Sequence, residues 1–148
     1  MKKSIFSLMI VVLLTLPIVS FAAATMDHSG MKMDGSMIML PMQEVDGLYA
    51  TVHLKDVKAA MEKMGMKQTH HFMVALEDGN GEEVMPQVVA VKIVDPAGKE
   101  GEPVKLISMA GHSGADVILA TPGAYKFIVA VKLADDKKVR YEFAYTLK

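Results

Sequence analysis

The chain has no cysteine and no tryptophan, and aromatic residues make up only 6% of its 148 residues. Without thiols it can form no disulfide, so a fold in an oxidising compartment would stand on packing alone. The same absence removes the highest-affinity ligand for Cu(I), zinc and iron–sulfur clusters and leaves imidazole, thioether and carboxylate. Charge of one sign is nowhere concentrated: 16 Lys and Arg stand against 17 Asp and Glu, and no basic patch marks a nucleic-acid partner. The apolar run from Ile5 to Leu16 falls short of the ~20 residues of a comfortable membrane span. No Gly-rich phosphate loop, H-E-x-x-H pattern or Cys-x-x-Cys pair offers a start for catalysis.

What is present begins with an export signal. Lys2 and Lys3 form a positive n-region, residues 5–16 an apolar h-region ended by Pro17, and Ser20 to Ala24 a small-residue cleavage region. Residues 1–24 are therefore expected to be removed, after Ala22 or Ala24, leaving about 124 residues with 14 basic against 17 acidic side chains. No cysteine follows the h-region to carry a lipid, so the mature form is expected in the periplasm and not embedded in the membrane. That length suits one domain with an adequate core.

Between Met26 and Met42 the chain places six of its 14 methionines together with His28. Asp, Ser, Gly and Lys are interleaved from Met26 to Met33, so no core-facing period can be completed there. Thioether sulfur is a soft ligand that suits Cu(I) and has no proton to lose. His28, Met31 and Met33 thus read as metal ligands in a flexible arm over residues 25–44. Met37 to Met42 have apolar neighbours and read equally well as an edge strand packed on the domain. Cleavage after Ala24 would put His28 at position four, one residue too far for an amino-terminal square-planar Cu(II) site.

From residue 45 the pattern changes to short alternating runs separated by turn residues. Residues 47–55 set Ala50, Val52 and Leu54 against Tyr49, Thr51 and His53; residues 70–77 set Phe72, Val74 and Leu76 against His71, Met73 and Ala75. Further strands are expected over 88–95, 104–109, 115–120, 124–134 and 139–147. Asp56 as N-cap, Val57, Ala60, Met61 and Met64 at helical spacing and Gly65 as a stop predict one short helix. About seven strands at this spacing, with no βαβ alternation, predict an all-β, immunoglobulin-like antiparallel sandwich over 45–148.

His71 and Met73 lie on one strand face and could converge on one ion, since alternate side chains point the same way. Solvated imidazoles and a methionine filling the core edge are the plainer reading of the same residues. Met109 and His112 stand three apart in a Gly-rich stretch between two strands, where backbone freedom would let both reach one ion. Gly111-His-Ser-Gly-Ala115 mimics the G-x-S-x-G nucleophile elbow, but that elbow needs a strand-turn-helix crossing for which this chain has no room.

The stretch from about Tyr49 to Lys148 resembles small periplasmic immunoglobulin-like metal-binding domains of the YtkA-like kind, and more distantly the copper-binding periplasmic accessory proteins of ferrous-iron uptake. The resemblance rests on His53-Leu54, Met109…His112-x-Gly114-Ala115-Asp116 and Gly123-x-Tyr125 ahead of a long strand. It implies that His53, Met109 and His112 converge on a metal, and a role in delivery or uptake at the inner membrane without catalysis. Lys55 stands where the iron-uptake group carries a Glu.

The expected function is a non-enzymatic periplasmic protein that binds copper, as Cu(I) or Cu(II), and sequesters it or passes it to an inner-membrane transporter. A non-catalytic envelope module that docks on a transporter or other partner is the rival from another class.

Overall fold

The computed structural model of the protein describes residues 37–148. The expected signal peptide over 1–24 and the expected ligands His28, Met31 and Met33 lie outside the described residues. Ten strand segments and one helix follow in order: β1 (Met37–Met39), β2 (Gln43–Val45), β3 (Leu48–Asp56), α1 (Lys58–Lys63), β4 (His70–Glu77), β5 (Val88–Val94), β6 (Val104–Lys105), β7 (Ile107–Met109), β8 (His112–Val117), β9 (Gly123–Lys132) and β10 (Lys138–Leu147). They form two antiparallel sheets, β1-β3-β4-β8-β7 with β2 also on β3, and β10-β9-β5-β6. The chain is therefore an all-β sandwich. Among the described residues no helix is long and apolar enough to cross a membrane.

Period-two alternation does the work of placing the core. Ala50, Val52 and Leu54 of β3 and Phe72, Val74 and Leu76 of β4 are buried against Phe127, Val129, Tyr141 and Phe143 of the opposite sheet. Phe72 and Phe127 meet across the layers with ring centres 5.2 Å apart, a tilted pair that adds to the burial. Because the period is two, the same register that buries Val52 and Val74 turns His53, His71 and Met73 to the other face of the sheet.

Tyr125 marks the sandwich type. Its hydroxyl donates to Thr121 O at 2.8 Å and accepts from Thr121 N at 3.0 Å, the arrangement of a tyrosine corner at the start of a long strand. Gly123 has no room for a side chain, since a Cβ there would lie 2.7 Å from Pro96 Cβ.

Four local expectations are revised. The first paired strand, β1, starts at Met37, within what the sequence assigned to the arm: Ile38 lies opposite Leu54, and Leu40 is buried in the core. The plainer reading of Met37 to Met42 thus holds. An Asp46-Gly47 turn with φ of 54° and 76° then joins β2 to β3, the left-handed pair of a type I′ hairpin. Residues 104–109 are two strands rather than one: β6 pairs with β5, and after the buried Leu106 the chain crosses to the other sheet, where β7 pairs with β8. Residues 108–116 are a tight hairpin instead of a Gly-rich loop, with Met109 directly opposite His112. Finally, α1 buries none of its residues and is capped by Val57 without a side-chain bond; Asp56 Oδ1 accepts instead from Lys58 N at 2.9 Å.

Candidate metal centre

The outer face of the larger sheet collects nearly all the candidate ligands described. One cross-strand row runs Met39, His53, Met73, Gly114, Ile107, and the adjacent row runs Met37, Lys55, His71, Asp116. Residues directly opposite in an antiparallel pair share a face, with Cβ atoms roughly 4.5–5.5 Å apart. His53 is therefore flanked by two thioether side chains, Met39 on β1 and Met73 on β4. His112 lies on the same face, two residues before Gly114 along β8.

His53 is the anomalous residue of this face. Its Nε2 is buried and has no hydrogen-bond partner. A buried polar atom left unpaired costs about 1–3 kcal/mol, and such atoms are rare enough to need a reason. Burial, and secondly the proximity of His112, hold the His53 imidazole below the ordinary 6.5. Both effects favour the neutral ring, the form that coordinates a metal.

His71 is held in a different way. Its Nδ1 lies 2.6 Å from Asp116 Oδ1, with both side chains partly exposed. An ionised carboxylate can only accept, so Nδ1 carries the proton and, in the neutral ring, Nε2 is left with its lone pair free. That Nε2 hangs over Gly114. A Cβ built on Gly114 would lie 3.1 Å from His71 Nε2, 3.3 Å from Met73 Cγ and 3.0 Å from Phe72 O. Gly114 does not adopt a left-handed conformation, so its missing side chain serves space: two ligand-bearing side chains fold across it.

The resemblance drew His53, Met109 and His112 together, and the structure gives each a place. His112 is near enough to His53 to bias its titration. Met109 sits across the hairpin from His112 at the sheet edge and is 48% exposed. Among the described residues, no three His, Asp or Glu side chains are grouped so as to hold an ion. A metal on this face would thus draw on thioether sulfur as well as imidazole, a mixed soft set that fits copper better than zinc or a hard cation.

His70 is a structural histidine. It is 5% exposed, its Nδ1 lies 2.8 Å from Thr69 Oγ1, and it packs edge-on to Tyr145. Ser113, at the centre of the elbow-like motif, is buried with its Oγ 3.0 Å from Ser108 Oγ, on a hairpin strand. Gly114, Asp116, Met39 and Glu83 were not singled out as functional from the sequence. Glu83 ties down the hairpin tip, with its Oε1 accepting from Gly111 N at 2.9 Å. Only Asp116 and Gly114 left a trace, as two positions of the motif that carried the family resemblance.

No family model and no curated protein matches this chain. Solved structures do. FetP of uropathogenic E. coli strain F11, recombinantly expressed in the periplasm of E. coli BL21(DE3), is 13% identical, with a TM-score of 0.55 over 75% of this chain and 97% of that one. A DUF4426 family protein from Pseudomonas aeruginosa PAO1 is 16% identical, with a TM-score of 0.53 over 73% and 94%. At these identities the likeness is one of fold, and it places the sandwich among the architectures that the sequence resembled.

Proposed function

We propose that the protein binds copper in the periplasm, without catalysis, and holds or hands on the ion. The observation that carries this reading is the buried, partnerless Nε2 of His53 between Met39 and Met73. A metal would give that nitrogen the partner it lacks. His71, oriented by Asp116, and His112 stand on the same face as further imidazoles. The thioethers favour Cu(I), while the imidazoles would also retain Cu(II). The export signal read in residues 1–24 and the methionines of residues 26–33 suit capture of the ion outside the cytoplasm. FetP, similar in fold, was recombinantly expressed in the periplasm.

The test is competition for Cu(I) between the full mature chain and a chromophoric chelator, with His53→Gln alongside. The wild type should withdraw copper stoichiometrically and His53→Gln should withdraw one equivalent fewer. No competition by the wild type would overturn the reading.

Delivery requires a receiving surface, and edge strand β7 offers one. Ile107 is 71% exposed there beside Met109, next to the hairpin that carries His112. An inner-membrane transporter is the partner class that the cargo calls for. Should the protein be a docking module alone, Met109→Leu and Met73→Leu would preserve the association while copper had no effect on it.

A further inference from the structure

Three methionines lie within six residues at the end of α1: Met61, Met64 and Met66. The spacing of Met61 and Met64 with Val57 and Ala60 suggests a helical stripe, yet α1 has no fully buried residue and Met61 is only half-buried. Met64 is 61% exposed and Met66 39% exposed. Packing on the sandwich therefore does not account for Met64 and Met66.

The helix ends in a Schellman motif in which the backbone N–H groups of Met64 and Met66 both reach the Met61 carbonyl. Met64 N donates to Met61 O at 3.0 Å and Met66 N donates to the same oxygen at 2.9 Å, while Gly65, at φ 72°, donates to Glu62 O at 3.0 Å. An apolar contact between the residue after the left-handed glycine and the residue whose carbonyl it caps, here Met66 and Met61, frequently accompanies this motif. Met64 is three residues beyond Met61 on the same helical turn, where side chains are surface neighbours. An apolar contact would explain Met61 and Met66. It leaves Met64, the most exposed of the three, unexplained.

We propose that Met61, Met64 and Met66 form a second, solvent-accessible three-thioether site for a soft monovalent cation, Cu(I) in the periplasm, separate from the outer-face centre. Three thioethers offer three neutral soft donors, a set that selects Cu(I) over harder or divalent ions. Because no donor carries a proton, the site keeps its affinity in acid, where imidazole ligands are lost. Its place at the surface suits rapid loading and unloading rather than storage. Lys63 and Lys67 flank it in solvent, with the carboxylate of the exposed Glu62 in the same turn to offset part of their charge.

The experiment is a titration of the full chain, labelled with ¹³C at the methionine methyl groups, with Ag(I) as an air-stable soft monovalent probe. Run at pH 7 and pH 5, it follows each methyl separately. The Met61, Met64 and Met66 methyl resonances should move together along a single binding curve that accounts for one equivalent of Ag(I), and do so at both pH values. In Met64→Leu/Met66→Leu, which keeps the apolar contact of the motif, that equivalent should disappear while the Met73 methyl shift and the thermal midpoint stay unchanged. Three resonances that stay still, or that shift at three unrelated concentrations, would overturn the proposal. The Met73 resonance reports the outer-face centre independently, so failure of one site is not failure of the other.

Discussion

Asp116 Oδ1 and His71 Nδ1 are 2.6 Å apart across the β4–β8 pair, and this contact aims the opposite ring nitrogen of His71 at the space above Gly114. A carboxylate bound to the far nitrogen of an imidazole fixes its tautomer and raises its basicity as a ligand, and loss of such a partner commonly lowers metal affinity about 10–100-fold. Asp116→Asn should therefore weaken copper binding by that order in a chelator competition. Thermal stability should change little, because the pair is partly exposed and such pairs contribute roughly 0–1 kcal/mol.

Gly114→Ala tests the space itself. Alanine is ordinarily the better residue in a strand, by roughly 0.5–1 kcal/mol. Here its methyl would press on Phe72 O, His71 Nε2 and Met73 Cγ, all at 3.0–3.3 Å. Overpacking of this kind costs about 1–3 kcal/mol, so the variant should show a lower urea midpoint and a displaced Met73 methyl resonance. A rise in midpoint would mean that the two side chains move aside freely and that Gly114 holds nothing open.

Removal of the unpaired nitrogen of His53 should separate stability from function. In His53→Leu the buried Nε2 is gone, and the apo protein should gain roughly 1 kcal/mol, while an equivalent of copper is lost. The acid limb should change with it. Burial holds both His53 and His70 below 6.5 in the fold, so the unfolded chain takes up protons first as pH falls. Stability is then retained above pH 6.5 and lost as pH falls through the depressed folded values. Denaturant midpoints at pH 7.5 and pH 5 should differ less in His53→Leu than in the wild type, with the His70 share remaining.

Much of this architecture was legible because β3 and β4 alternate without a fault. That alternation located the core and put His53, His71 and Met73 opposite it. The pairing of His53 with Met73 was not legible, since register across the α1 connection depends on contacts that no local pattern carries. Residues 104–109 look like one strand because both halves are apolar. The crossing at Leu106 is decided by which neighbour each half finds, β5 or β8. Gly114 was misleading for the opposite reason. Within Gly-His-Ser-Gly it looks like loop chemistry, whereas its role is to be flat under two larger side chains. The methionines of α1 matched a helical stripe, but six residues of helix with no partner surface give such a stripe nothing to face.

The alkaline limb of stability should belong largely to Tyr141. Its hydroxyl donates to Leu48 O at 2.9 Å from within the core, and burial, helped by the charges of Asp46 and Glu44, pushes its pKa from 10 up to about 12. Between those two values the folded state keeps a proton that the unfolded chain has released, so stability falls as pH rises. The contribution is complete below pH 10 and gone above the folded value; a shift of this size corresponds to about 2–3 kcal/mol. Tyr145 is raised in the same direction and adds to the slope. Tyr141→Phe should lose about 1 kcal/mol at pH 7, because Leu48 O loses its donor, yet it should decline less steeply than the wild type from pH 10 to 12. Denaturation midpoints across that range decide the matter: parallel curves for the two proteins would mean that the phenol is already ionised in the fold or never feels its burial.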